Sequence, residues 1–197
     1  AMAERILHKA ILKADEDYAD DSEVENAQAE AIEEATRRSM PLTPEQRATL
    51  DDLRAWAQRA RNQANSKAQA VLKPNGEWND RRVILFTEYR TTHQWMHQIL
   101  VSHGFGGERL RLLHGGLSQE EREPIKAAFQ ASPQDSPVRI LLATDAASEG
   151  IDLQNHCNRL IHLEIPYNPN VMEQRNGRID RHGQREKEVL IWHPVDG

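Results

Sequence analysis

Three arginines stand three residues apart near the end of the chain, in Asn170-Val-Met-Glu-Gln-Arg-Asn-Gly-Arg-Ile-Asp-Arg-His-Gly-Gln184. Read as a short helix, the segment sets Arg175, Arg178 and Arg181 along one slowly drifting stripe, just after Gln174. Gly177, between the first two arginines, is costly inside a helix unless something must approach the backbone closely. Taken alone, a solvated basic face at a helix end is the simpler reading, because cations suit the C-terminal dipole. The sharper reading is that two of these guanidinium groups reach across an interface to the γ-phosphate of a bound nucleotide.

A second stretch with chemical potential is Thr144-Asp-Ala-Ala-Ser-Glu-Gly-Ile-Asp-Leu-Gln154. Its hydroxyls and backbone N–H groups suit phosphate oxygens, and Gly150 would let a ligand come close to the main chain. Asp152 could accept from a ribose hydroxyl or from an arginine. An Asx-type loop capping the next helix explains the same residues equally well.

The elements that must position these residues follow from the hydrophobic period. Val83 to Thr87 is a short continuous apolar run, the mark of a strand buried on both faces. Comparable runs occur at about 109–113, Val138 to Ala143, Leu160 to Ile165 and Val189 to Trp192. Between them lie helical patterns. One runs from Thr91 or Thr92 to His103, with Trp95, Met96, Ile99 and Leu100 inward and Gly104 at its end. Another follows the Ser118/Glu121 capping box, with Ile125, Ala128 and Phe129 inward, and Pro124 should kink or interrupt it. Alternating strands and helices predict right-handed crossovers and a doubly wound, mainly parallel α/β sheet. Ligands gather at the carboxyl ends of such strands. Thr87-Glu88-Tyr89-Arg90, His114-Gly115-Gly116 and the Thr144 to Asp152 stretch all fall there.

The first 80 residues read differently. Ile6, Leu7, Ala10, Ile11 and Ala14 have helical spacing; Asp15 to Glu25 then holds seven acids and no base. Asp15-Glu16-Asp17 follows no apolar strand, so it reads as solvated acidity rather than a magnesium box. Ser22 with Glu25 suggests a capping box, and Thr43-Pro44-Glu45-Gln46 a stronger one, opening a long amphipathic helix over about 44–72. Lys73-Pro74-Asn75-Gly76 ends it, dividing a helical appendage (1–80) from the sheet domain (81–197).

Composition narrows the class. At 197 residues with formal net charge -6, the chain suits one domain with an appendage. Residues 1–80 carry 11 Lys and Arg against 16 Asp and Glu; residues 81–197 carry 14 against 15. A free-standing nucleic-acid binder is more often basic, so contact with DNA or RNA would need a local patch or a partner domain. The single cysteine, Cys157, excludes an internal disulfide. With no apolar run of membrane-spanning length and no signal-peptide core, a soluble cytoplasmic protein is expected. Ala1 ahead of Met2 reads as a cloning remnant, pointing to an excised piece.

Three blocks in this order resemble the second RecA-like lobe of superfamily 2 helicases. Val83 to Tyr89 is similar to their motif IV, Leu141 to Gln154 to motif V, and Gln174 to Arg181 to motif VI. Arg181-His-Gly-Gln184 resembles the Arg-Ile-Gly-Gln ending of the Swi/Snf-like branch, with His182 in place of Ile. The Ser-Glu-Gly and Pro-Asn-x-x-x-Gln-Arg-x-Gly-Arg wording is similar to its bacterial RapA-like members.

That resemblance implies roles. Arg178 and Arg181 would be arginine fingers against the γ-phosphate of ATP; Gly150, Asp152, Gln174 and Arg175 would line or couple to the nucleotide. Thr87, His114, Gly115, Thr144 and Ser148 would meet the sugar-phosphate backbone of double-stranded DNA, with RNA as the alternative. ATP and Mg2+ would be held mainly by an N-terminal RecA-like lobe in cis. No Gly-x-x-x-x-Gly-Lys-Ser/Thr loop and no strand ending in Asp-Glu occurs in the sequence, so the chain alone is expected to be inactive. His114, His156, His162, His193 and Cys157 lack zinc spacing and read as packing or surface. Ser148 beside Glu149 forms no nucleophile elbow. A rival from another class is a RecA-like module without catalysis, serving as a docking platform.

Overall fold

The apolar runs become five parallel strands in the computed structural model, which describes residues 21–37, 41–61, 63–72, 81–145 and 151–194. The chain divides into two compact units, Ala1–Asn65 and Ser66–Gly197. The first holds helices α1 (Asp21–Arg37) and α2 (Pro44–Ala60). The second holds α3 (Ser66–Leu72), β1 (Val83–Thr87), α4 (Arg90–Ser102), β2 (Leu110–Leu113), α5 (Gln119–Gln130), β3 (Ile140–Thr144), β4 (Arg159–His162), α6 (Pro169–Asn176) and β5 (Leu190–Trp192). The helix expected over 2–14, the Asp15–Asp17 acids, the Ser22 side-chain cap, the 73–76 breaker, Ser148 and Gly150 lie outside what is described.

In the first unit, α2 carries the full Thr43/Gln46 capping box with Pro44 at its start, as its sequence dictates. It buries none of its residues, and Leu53 and Trp56 stand 57% and 61% exposed. The single long helix expected over 44–72 is in fact two. The first ends at Ala60, and a new one starts at Ser66 behind Asn65, a residue that favours a helix cap over a helix interior. Ala68 and Val71, the buried residues of that second piece, belong to the sheet-bearing unit.

The sheet order is β2-β3-β1-β4-β5, every neighbouring pair parallel, with β1 at the centre. β1 and β3 are buried along their whole length, which is why both read as unbroken apolar runs rather than alternating ones. Ile84, Phe86, Leu113, Phe129, Leu141, Leu153, Cys157 and Ile179 share the main core. The end of α4 is set by Gly104, whose φ of +83° permits a reversal that a side chain would resist. Phe105 N–H bonds back to Leu100 and Gly104 N–H to Val101, satisfying the last carbonyls. At the start of α5, Ser118 and Glu121 exchange both capping bonds. Contrary to expectation, α5 runs unbroken through Pro124. The carbonyl that loses its partner there is that of Glu120, which is exposed and open to water.

Registers place Arg109, Arg139 and Arg82 side by side where β2, β3 and β1 begin, with Arg159 at the start of β4 one position further along, level with Val83. Helices in this topology end at that edge, leaving carbonyls without partners. Arg82, 2% exposed, accordingly donates from Nη1 to Phe129 O at 2.6 Å and also to Ala131 O, from Nε to Val138 O at 3.1 Å, and stacks on the Phe129 ring. Arg139 bonds the carbonyls of Pro133, Ser136 and Val138. β3 begins at Ile140, two residues later than expected, with the Val138 carbonyl taken up by Arg82 and Arg139.

Candidate functional site

The strands that carry the chemistry end together: Thr87 pairs with Thr144 across β1 and β3, and Phe86 with His162 across β1 and β4. Beyond those ends lie Asp145, Glu164 and Arg175, the first arginine of the C-terminal segment. Contrary to expectation, that segment is not one helical stripe. α6 ends at Asn176, with Gly177 as its C-cap rather than an interior residue, and the chain continues as turns through Arg178 and Arg181. An added Cβ on Gly177 would lie 3.3 Å from the Glu173 carbonyl, so the glycine serves a tight helix end. The three arginines therefore point to three different environments.

Arg175 is turned inward and is 1% exposed. Its Nε and Nη2 donate to the two oxygens of Asp145, each at 2.6 Å; Nη1 donates to Glu164 O at 3.2 Å and meets His162 Nδ1 at 3.3 Å. The guanidinium also lies over the Phe86 ring. A bidentate carboxylate pair at this burial fixes orientation as well as energy. In this arrangement Arg175 is a structural tie between α6 and the ends of β3 and β4. Beside it, the Thr87 hydroxyl is fully buried and donates to Glu164 Oε1 at 3.1 Å. Thr144 is also 0% exposed. Neither threonine side chain faces solvent, so backbone contact by those side chains does not occur in this state.

The segment after Gly177 is stitched to the loop before β4. Ile179 inserts into the core beside Ile151 and Leu153. Leu153 N–H donates to Arg178 O at 3.1 Å, and Arg181 forms an ion pair with Asp152. Gln154 Nε2 donates to His182 O at 3.4 Å, next to Gly183 at φ +93°. Gln184 Nε2 donates to Cys157 O at 3.0 Å and to Ile179 O at 2.9 Å. Arg178 is half-buried, and its Nε has no hydrogen-bond partner among the described residues. Arg181 and Asp152 keep 41% and 53% of their side-chain surface exposed, so their pair is a weak, breakable one. Gln174 is exposed on α6.

Asp152 and Gln154 are thus joined to the turn that carries Arg178 and Arg181, while Arg175 belongs to a separate group with Asp145, Glu164 and Thr87. His114 and Gly115 lie apart, at the end of edge strand β2. There the Gly115 carbonyl accepts from Arg122 Nη2 at 2.7 Å and His114 packs edge-on against His93. Ile179 and Gln184, which hold the arginines in place, were not singled out as such by their residue types. An Ile enclosed by polar neighbours in Arg-Ile-Asp-Arg was the available signal. Cys157 is wholly buried, its thiol pushed up to about 12 by desolvation, and bonded to the Arg82 and Arg159 carbonyls. It is an inert core residue.

Comparison with known proteins agrees with this geometry. Residues 66–183 match the family described as helicase conserved C-terminal domain. A similar protein is the uncharacterized ATP-dependent helicase YqhH of Bacillus subtilis (strain 168), 37% identical over 129 residues, 66% of this chain and 21% of that protein. Another is the RNA polymerase-associated protein RapA of Yersinia pestis (strain Pestoides F), 40% identical over 89 residues, 45% of this chain and 9% of that one. The chain thus spans about a fifth or less of these relatives. Among solved structures, the C-terminal part of the Fun30 ATPase domain superposes with a TM-score of 0.58 at 20% identity, over 67% of this chain and 41% of that one. Saccharomyces cerevisiae Dbp5 bound to RNA and ADP BeF3 does so at 0.53 and 23%, over 66% and 32%. Both share the fold. With a family match covering more than half of its length, and that match spanning the first four strands of the parallel sheet, the chain belongs to the helicase C-terminal domain family and carries its RecA-like lobe.

Proposed function

We propose that this chain is the C-terminal motor lobe of a Swi/Snf-like, ATP-dependent DNA translocase, and that Arg178 and Arg181 are its contribution to phosphoryl transfer. The observation that carries the reading is the pinning of both arginines against the Ile151 to Gln154 loop, Arg181 by its ion pair with Asp152 and Arg178 through its carbonyl to Leu153, while Arg175 is spent internally. Two guanidinium groups there, one half-buried and one held only by a surface ion pair, suit a multiply charged phosphate oxygen. The name of YqhH, an uncharacterized ATP-dependent helicase, supports the use of ATP, and the name of RapA suggests association with RNA polymerase. ATP supplies the transferable γ-phosphate, and this lobe's part is to hold positive charge where negative charge develops.

Each residue then has one task. Ile179 and Gln184 hold the turn rigid, and Arg178 and Arg181 present their donors. Asp152 releases Arg181 when the nucleotide arrives and can then accept from a ribose hydroxyl, with Gly150 alongside. Gln174, exposed on α6, couples the nucleotide edge to the nucleic-acid edge. The carboxylates at this site do not fit a metal: Asp145 and Asp152 are both engaged by arginine. Mg2+ and the phosphate cradle therefore belong to a preceding lobe in cis. Because Thr87 and Thr144 are buried, contact with the nucleic-acid backbone falls to main-chain groups around them, to the His114-Gly115 turn and to Ser148. Phosphate contacts of that kind position a duplex without reading its sequence.

The test is Arg181→Ala and Arg178→Ala in the full-length protein. DNA-stimulated ATP turnover should fall by roughly 10³–10⁵, about 4–7 kcal/mol of barrier, with duplex affinity nearly unchanged. Unchanged turnover would overturn the assignment, and stimulation by RNA rather than DNA would move the protein to the RNA-helicase class.

A further inference from the structure

His162 closes β4 with its ring enclosed, 1% exposed, and both ring nitrogens are engaged by consecutive residues of α6. Arg175 Nη1 lies 3.3 Å from Nδ1, and Asn176 Oδ1 lies 2.9 Å from Nε2. A guanidinium has hydrogens only to give. Nδ1 must therefore accept, and the single ring proton sits on Nε2 and is donated to Asn176. Only the neutral imidazole satisfies both neighbours. A second proton would remove the acceptor and set an imidazolium N–H against the Arg175 guanidinium. The charged groups around the ring do not relieve that conflict. Arg175 from α6 and His193 following β5 oppose a positive ring; Asp145 after β3 favours it, but both its oxygens are already taken by Arg175. Glu164, two residues further along, is occupied by the Thr87 hydroxyl, and the β1 neighbour is the apolar Phe86. Burial first, then Arg175 and His193, hold the ring pKa below the ordinary histidine value, against the Asn176 bond and Asp145.

Resting on the phosphate-facing reading of Arg178 and Arg181, we propose that His162 is the positioning residue that seats α6 on β4, and that protonating its ring unseats Arg175 and the two arginines after it. The mechanical path is short. Arg178 N–H donates to Arg175 O at 3.0 Å and Arg178 O accepts from Leu153 N–H at 3.1 Å. A shift of Arg175 is thereby passed to the turn that carries the phosphate-facing groups. The device makes turnover fall on the acid side of the ordinary histidine range, through geometry rather than through loss of DNA binding.

The experiment uses the full-length protein and reads nucleic-acid-stimulated ATP turnover and duplex affinity between about pH 5 and 8, the span in which histidine changes charge. Asparagine can offer its amide oxygen near the position of Nδ1 and does not titrate, so His162→Asn should stay close to wild type at neutral pH while its acid decline moves to lower pH. His162→Phe, with no acceptor for Arg175, should lose roughly tenfold to a hundredfold in turnover at every pH with duplex affinity unchanged, the scale of a misplacement of about 1 Å. An acid decline identical in His162→Asn and wild type would overturn the proposal, as would wild-type turnover in His162→Phe. If His162→Phe does not fold, the asparagine profile decides. Arg181→Ala in the same assay separates the two readings: normal turnover there removes the finger assignment and this inference together. A dead Arg181→Ala with an unmoved His162→Asn profile removes this inference alone.

Discussion

At the scale of single residues, three arginines that are indistinguishable in sequence differ because of what surrounds each. Arg175 is enclosed and bonded on every side, so losing it removes both guanidinium bonds from Asp145, which is 31% exposed. Breaking a buried pair costs about 3–5 kcal/mol, and the partial exposure of Asp145 puts Arg175→Ala near 3 kcal/mol, readable as a lowered urea midpoint. Arg181, by contrast, is exposed and weakly paired, so Arg181→Ala should leave the same midpoint within about 0.5 kcal/mol while removing turnover. That split between stability and activity is the expected mark of a structural and a chemical arginine six residues apart in one motif. Cys157 belongs to the same scale. A thiol buried completely and titrating at about 12 should resist a thiol-specific reagent at neutral pH until the domain unfolds, so that labelling follows the unfolding transition.

At the scale of elements, the local signals and the observed boundaries agree where a side chain bonds its own backbone. Thr43 with Gln46 and Ser118 with Glu121 are such cases, and both boxes are formed. Removing the hydroxyl in Ser118→Ala should cost about 1 kcal/mol, seen as a lower melting temperature with the fold retained. Gly104→Ala should cost about 1–2 kcal/mol for the same readout, because φ +83° is strained for any residue with a Cβ. The signals that failed needed knowledge of a neighbour. The hydrophobic period in 44–72 does not show that α2 stops at Ala60, since Leu50, Ala57, Ala60, Ala64 and Ala68 continue it, and Asn65 is the one local hint of the break. Likewise the spacing of Arg175, Arg178 and Arg181 is helical, yet the helix ends at Asn176 because Ile179 is drawn into the core and Leu153 takes the Arg178 carbonyl.

At the scale of the whole molecule, stability and pH are linked through His162. Its folded-state pKa is lowered, chiefly by burial, so the unfolded chain binds a proton more readily than the folded one. The contribution of His162 should therefore be constant above the ordinary histidine pKa of about 6.5 and fall as pH drops below it, a share of the acid slope that His162→Asn should remove in urea titrations at several pH values. The order of strands and helices, the burial of β1 and β3, and the family of the chain were all legible from residues 81–193, because continuous apolar runs and capping boxes are local and short-ranged. So was the pairing of chemistry: the Thr144 to Asp152 loop and the arginine segment do meet, through Asp145 with Arg175 and Asp152 with Arg181. Which arginine is buried, which threonines are sealed, and that a histidine counted as packing holds Arg175 in place were decided only by the tertiary structure. The reason is physical: a guanidinium's role is set by the acceptors within about 3 Å of it, and those acceptors come from strands far away in sequence.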